Sequence, residues 1–162
     1  MKNLNELFES ELKTTYSVED QLTEALQKMA ANASDEELQN AFLDHLKQTK
    51  NHKERLEKIG SELGIDISGK TCHAIKGIID AADDFISQDN LSDHVKDAGL
   101  IAHAQQAEHH EIATYGTLCA YAEELGNKNI SKTLKQTLDE EKMTDETLSK
   151  IASRINPKAE KK

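Results

Sequence analysis

Residues 108–115 read E-H-H-E-I-A-T-Y, within a stretch whose apolar spacing is helical. Glu108 and Glu111 stand three apart, so both project from one face of a helix and can reach a common cation. Similar groups recur in three other helical stretches: Glu19; then His45, Gln48 and His52; then Glu141 with Asp145 four residues later. Carboxylates together with imidazoles suit iron, manganese or zinc. These eight residues form the candidate metal-ligating set, with iron as the first choice of metal. Taken singly, each has a plainer reading. A lone histidine on an apolar helix face is usually a hydrogen-bonded core residue, and Glu108 with Glu111 would usually sit on a solvated face. Only their coincidence argues for a site.

That coincidence depends on the elements carrying them. Four long helical patterns are present, over about Asn3 to Ala31, Ser34 to Leu63, Ser92 to Gly126, and Asn129 to the residue before Pro157. Ser34 with Glu37 reads as a capping box for the second, and Ser92 as the N-cap of the third. A bundle helix buries positions in alternating steps of four and three. The first helix then turns inward Phe8, Leu12, Thr15, Glu19, Leu22, Leu26 and Met29, and the second Leu38, Phe42, His45, Thr49, His52, Leu56, Ile59 and Leu63. The third gives Ile101, Gln105, Glu108, Ile112, Tyr115, Cys119 and Ala122; the fourth gives Ile130, Leu134, Thr137, Glu141, Asp145, Leu148 and Ala152. Every stripe is apolar at both ends and polar near its midpoint. In antiparallel packing the midpoints share one level, so at ~1.5 Å rise per residue these groups converge within a turn or two. Arg55 at most flanks the stripes, and no other cation offsets the acids.

The connections set the topology. Short links join the first helix to the second and the third to the fourth, which predicts two antiparallel hairpins. The link from Gly64 to Leu91 is long and holds a shorter helical pattern through Ile75, Ile78, Ile79, Ala82 and Ile86. The expectation is an all-α, ferritin-like four-helix bundle over residues 1–156, with a long crossover containing a short extra helix. Residues 157–162, P-K-A-E-K-K, read as a disordered tail. The apolar positions of the short helix offer a surface for a dimer.

Composition narrows the class. The chain has 162 residues, one proline, 31% charged residues and a formal net charge of −10. Such an acidic chain argues against binding nucleic acid or an anionic membrane. No apolar run approaches the ~20 residues needed to span a bilayer, and the start, MKNLNELFES, has no apolar signal core, so a cytoplasmic address is expected. Cys72 and Cys119 read as reduced packing residues. His73, His94, His103 and His110 fall outside the stripes and read as surface residues, while His109 borders one.

At E-H-H-E-I-A-T-Y-G-T-L the chain resembles the YciF-like family of bacterial ferritin-like stress proteins. The resemblance extends over nearly the whole chain, through T-Y-S-V-E-D-Q-L, A-F-L-D-H-L-K-Q-T, K-D-A-G-L-I-A-H-A-Q-Q-A-E-H-H-E and T-L-D-E-E-K-M-T-D. It implies a stress-induced helical bundle that forms a homodimer, with no settled reaction and an unidentified protein partner. Ferritin-like di-iron proteins supply one Glu from each of two helices and Glu-x-x-His from each of the others. Glu19 and Glu108 fit the single-Glu roles. Phe42 and Thr49 stand three before His45 and His52, and Thr144 three after Glu141, so both Glu-x-x-His motifs are missing. Two functions follow as expectations. One is an atypical di-metal protein handling dioxygen or peroxide, with Tyr16 or Tyr115 beside the ligands. The other is a non-enzymatic dimeric bundle with a vestigial site that acts through a protein partner.

Overall fold

In the computed structural model, which describes residues 1–160, five α-helices are present among the described residues: α1 (Leu4–Asn32), α2 (Glu36–Leu63), α3 (His73–Ile86), α4 (Asp93–Glu124) and α5 (Lys128–Ala159). Helices α1, α2 and α4 start where a short polar side chain accepts from a free N–H group of the first turn, while the first turns of α3 and α5 have no such side-chain cap. Asn3 caps α1 by accepting from Glu6 N–H at 2.9 Å, and Ser92 caps α4 by accepting from Val95 N–H at 3.4 Å. The cap of α2 is Asp35, not Ser34: its carboxylate accepts from Leu38 N–H at 3.2 Å. Asp35 takes this role because Arg154 holds its carboxylate through two hydrogen bonds of 2.7 Å. The Ser34 N–H is directed instead to Asp97 of α4, at 2.8 Å. Gly64 ends α2 in the left-handed region, with φ at 66°, where a side chain would be strained.

Helix α5 runs through Pro157 to Ala159 rather than stopping before it. Proline withdraws one N–H from the ladder, but this close to a helix end few bonds remain to lose. Ile151 and Ile155 are buried and pin the last turns to the core. Residues 157–159 of the expected tail are therefore helical, and Lys161 and Lys162 lie outside the described residues.

The helices form two hairpins, α1–α2 and α4–α5, joined by the long crossover. Helix α1 neighbours α2 and α4, and α5 neighbours α4 and α2, which closes a four-helix bundle. Two apolar clusters fill its ends. One gathers Leu22, Leu26, Met29, Leu38, Phe42, Leu100, Ala104, Leu148 and Ile151; the other gathers Phe8, Leu12, Leu56, Ile59, Tyr115, Leu118, Ile130 and Leu134. Each draws on the C-terminal half of one helix and the N-terminal half of its neighbour, as antiparallel packing requires. On α4 the buried band is wider than a two-position stripe, since α1, α3 and α5 all pack on it. Leu100, Ala104, Ala107, Glu111 and Leu118 join the expected positions, while Gln105 and Ile112 are only half-buried.

Helix α3 lies over the seam between α1 and α4, parallel to α1. Gln21 Nε2 donates to the Cys72 carbonyl at 3.2 Å, and Lys28 pairs with Asp83 at 2.7 Å, further toward the C-terminus on both segments. Ile75 and Ala82 of α3 are buried, and Ile78, Ile79 and Ile86 pack on the first cluster. Its apolar face is thus turned largely to the chain's own core, with Ile78, Ile79 and Ile86 left half-buried. No helix among the described residues is long and apolar enough to cross a membrane.

The seat of α3 depends on a missing side chain. A Cβ at Gly99 would lie 2.1 Å from the Phe85 ring, whereas one at Gly116 on the same helix would meet nothing within 4 Å. Overpacking of this kind costs ~1–3 kcal/mol, against ~1 kcal/mol gained in helix propensity. Gly99→Ala should therefore lower the urea midpoint, and Gly116→Ala should raise it. Equal shifts in the two variants would refute the close approach.

Candidate metal centre

Between the two apolar clusters lies a layer built by all four long helices. Glu19 of α1, His45 and His52 of α2, Glu108 and Glu111 of α4, and Glu141 of α5 are all buried, none more than 3% exposed. Each sits near the middle of its own helix, where antiparallel neighbours are level. They divide into two groups sharing Glu141: His45 with Glu108, Glu111 and Glu141, and His52 with Glu19 and Glu141. Within each group one ligand atom per residue lies within 4.8 Å of all the others.

The short contacts run through the imidazoles. His45 Nε2 stands 3.0 Å from Glu108 Oε1 and 3.9 Å from Glu141 Oε2. His52 Nδ1 stands 2.9 Å from Glu141 Oε1 and 3.5 Å from Glu19 Oε1. The approach to Glu141 is near but poorly aligned as a hydrogen bond, and His52 Nδ1 counts among the unpartnered atoms. On its far side, His52 Nε2 meets Glu140 Oε2 at 2.8 Å. Glu140 is gripped by Arg55 through bonds of 2.6 and 2.9 Å, and the same guanidinium donates to Thr137 Oγ1 at 3.0 Å. With Nε2 donating to that anchored carboxylate, Nδ1 faces the layer and would offer its lone pair there once the ring is neutral. The Tyr115 hydroxyl donates to Glu19 Oε1.

Burial dominates the electrostatics. It raises the Glu19, Glu111 and Glu141 carboxyls, with neighbouring carboxylates adding to the rise. Burial alone would lower both histidines. For His45 the Glu108 carboxylate outweighs it, bringing the imidazole to about 9. For His52, Glu141 and Glu19 do the same, bringing it to about 10. Burial would also raise Glu140, but the Arg55 hydrogen bonds prevail and hold it at about 2. The Tyr115 phenol, pushed well above its usual range by burial and by Glu19, stays a donor.

Six of the eight expected ligands thus come together, and two do not. Gln48 lies on the outer side of His45, where its Oε1 accepts from Thr144 at 3.3 Å. At ~100° per residue, a step of three from His45 lands off the stripe, and Thr49 takes the buried position. Asp145 turns roughly 40° past Glu141 by the same geometry. It meets Gln105 Nε2 at 3.0 Å and the exposed His109 at 3.4 Å. Tyr16 also points away, donating to Glu57 at 2.8 Å. Two histidines expected at the surface are half-buried: His103 packs against the Phe85 ring, and His110 Nε2 lies 3.6 Å from the buried Cys72 Sγ. Glu140 is the functional residue missed from sequence. Its only signal was Arg55, three residues beyond His52 and facing its side of the seam.

Residues 3–160 match the family described as Domain of unknown function (DUF892). The chain belongs to that family. Among curated relatives, Protein YciF of Escherichia coli (strain K12) is 44% identical, over 100% of this chain and 98% of the relative. The crystal structure of that E. coli stress protein aligns with a TM-score of 0.93 at 43% identity, covering 98% of this chain and 99% of the other. YcfI from Rhodopseudomonas palustris aligns with a TM-score of 0.87 at 38% identity, covering 91% and 94%. A protein from Xanthomonas campestris at 18% identity, with a TM-score of 0.77 over 96% and 94%, shares the fold.

Two outcomes follow for the protein kept in chelator. A histidine raised in the folded state stabilises fully below its unfolded value of about 6.5 and loses that contribution as pH climbs through the folded value. The buried acids act in the same direction, because ionising them in place is costly. Stability of this family member measured in urea should therefore fall between pH 6.5 and about 10, through the values raised at His45 and His52; a flat or rising profile would refute the pairing. Glu111 has neither carboxylate oxygen partnered. Glu111→Met should then stabilise the metal-free protein by ~1–3 kcal/mol, and a loss of stability would mean that the carboxyl is satisfied.

Proposed function

We propose that this protein binds two divalent transition-metal ions, iron in the first place, and handles dioxygen or peroxide at the centre they form. The observation that carries this reading is the set of orphaned atoms in the layer. Seven buried side-chain atoms of Glu19, His52, Glu108, Glu111 and Glu141 have no hydrogen-bond partner. Buried polar groups are nearly always satisfied, so a group of this size at one level asks for cations. The charge balance supports two of them. Four carboxylates (Glu19, Glu108, Glu111 and Glu141) carry −4 when ionised, which two divalent ions cancel with both histidines neutral.

His45, Glu108 and Glu111 would hold one ion, Glu19 and His52 the other, with Glu141 between them. Carboxylate and imidazole donors suit iron and manganese, and two ferrous ions supply the two electrons that reduce hydrogen peroxide, with two protons, to water. Arg55 fixes Glu140, Glu140 fixes the His52 ring, and Tyr115 orients Glu19. The two apolar clusters keep bulk water from the layer. A stress role agrees with the description of the E. coli relative as a stress protein.

Elemental analysis of protein loaded anaerobically with ferrous ion should give two metal ions per chain. Glu111→Ala should leave about one, and Glu141→Ala should remove both. Glu140→Gln, which touches no metal in this reading, should weaken uptake ~10–100-fold. Less than one ion per wild-type chain would overturn the proposal.

A further inference from the structure

Two openings reach His45 from opposite sides of the bundle, and their chemistry differs. Between α2 and α5 lies a cleft of about 180 Å³ lined by Asp44, Gln48, Thr144 and Thr147, with His45 at its base. Thr144 Oγ1 stands 3.5 Å from His45 Nδ1 there. Beneath α3, between α1 and α4, lies a much smaller cavity of about 20 Å³. Leu26, Met29, Ile79, Ala82 and Ala104 wall it, and His45 and Glu108 form its inner end. Asp83, 40% exposed and paired with Lys28, marks where it meets the surface.

We propose that the cavity beneath α3 admits and holds a neutral diatomic molecule, dioxygen, at the His45–Glu108 edge of the layer. Size sets the first limit. A single water needs ~10–15 Å³ measured in this way, so 20 Å³ takes one very small molecule and no organic substrate. Polarity sets the second. A buried water needs two to four partners. The fully buried unpartnered atoms at this cavity are Glu108 Oε2 and His103 Nδ1; Asp83, at its mouth, pairs with Lys28, and with Glu108 committed to a metal only His103 Nδ1 remains inside. An apolar cavity with one free polar atom favours a molecule that needs no hydrogen bonds. Ions and hydrogen peroxide, which do need them, find Gln48, Thr144 and Asp44 in the opposite cleft. The assignment to dioxygen rests on the proposed metal centre, whereas the capacity to hold a small apolar molecule does not.

Krypton pressurisation of metal-free crystals tests that capacity alone. An anomalous peak between Ala82, Ala104 and His45 is expected, and an ordered water there, or no peak, overturns the proposal whatever the metal content. Ala82→Leu fills the cavity from α3 without touching a proposed ligand. It should abolish the krypton peak and slow oxidation of ferrous-loaded protein by dioxygen at least tenfold. Ferrous stoichiometry and the rate with hydrogen peroxide should stay unchanged. Dioxygen oxidation as fast as in the parent, or equal slowing with both oxidants, overturns the assignment to dioxygen. Ile79→Phe, on the same wall, provides a second variant should Ala82→Leu fail to fold. If the parent takes up no iron, the metal reading fails while the krypton result still decides whether the cavity holds a small apolar molecule.

Discussion

The constraint on which the rest depends is the burial of four carboxylates, Glu19, Glu108, Glu111 and Glu141, at one level of a helical bundle. A buried ion costs several kcal/mol even after relaxation, while a domain of this size is stable by only ~5–15 kcal/mol. The layer therefore cannot be tolerated as four bare anions. Without metal, the two histidines supply +2 against −4, Tyr115 donates to Glu19, and the raised carboxyls take up protons. The remainder is offset by the apolar clusters above and below, which account for most of the buried hydrophobic residues. The end clusters hold the helices at a register where the acids must meet.

The donor set has a further regularity. A ferritin-like two-metal centre uses four glutamates and two histidines, distributed as a lone Glu on two helices and Glu-x-x-His on the other two. This chain keeps four glutamates and two histidines but distributes them otherwise. Helix α1 gives Glu19, α2 gives both histidines, α4 gives both Glu108 and Glu111, and α5 gives Glu141 alone. His45 and His52 are seven apart, two turns of one face, so α2 runs the length of the layer and serves both groups. Both Glu-x-x-His motifs are thus absent, while the same donor types are gathered in one layer from a different distribution among the helices.

The fold was legible because helical periodicity is local. Alternating steps of three and four on α1 and α2 identified every buried side chain of the layer on those helices, and the Gly64-to-Leu91 link implied the crossover. What was not legible depended on neighbours in space. Gln48 and Asp145 have the right chemistry at plausible spacing, but each lies a fraction of a turn off the face its neighbours define. Glu140 sits ~100° from Glu141 and matters only because Arg55, 85 positions earlier, reaches it. Asp35 displaced Ser34 as the α2 cap through Arg154 at the opposite end of the chain. The burial of His103 required α3, and the placement of α3 is a long-range fact.

Helix α3 also breaks the symmetry of the bundle. A plain four-helix bundle presents four equivalent seams to solvent. Here one seam, α1–α4, is roofed by a helix, and the opposite seam, α2–α5, is bare. His45 spans the distance, with Nδ1 toward the bare seam near Thr144 and Nε2 toward Glu108 and the roofed side. The roof stays close because Gly99 lets the Phe85 ring lie against the α4 backbone, and Phe85 in turn packs on His103. A side chain at position 99 would lift α3 and open the cavity to water. The close seat of α3 over that side of the layer therefore traces to one missing methyl group, some fourteen ångströms along α4 from Glu108 at ~1.5 Å per residue.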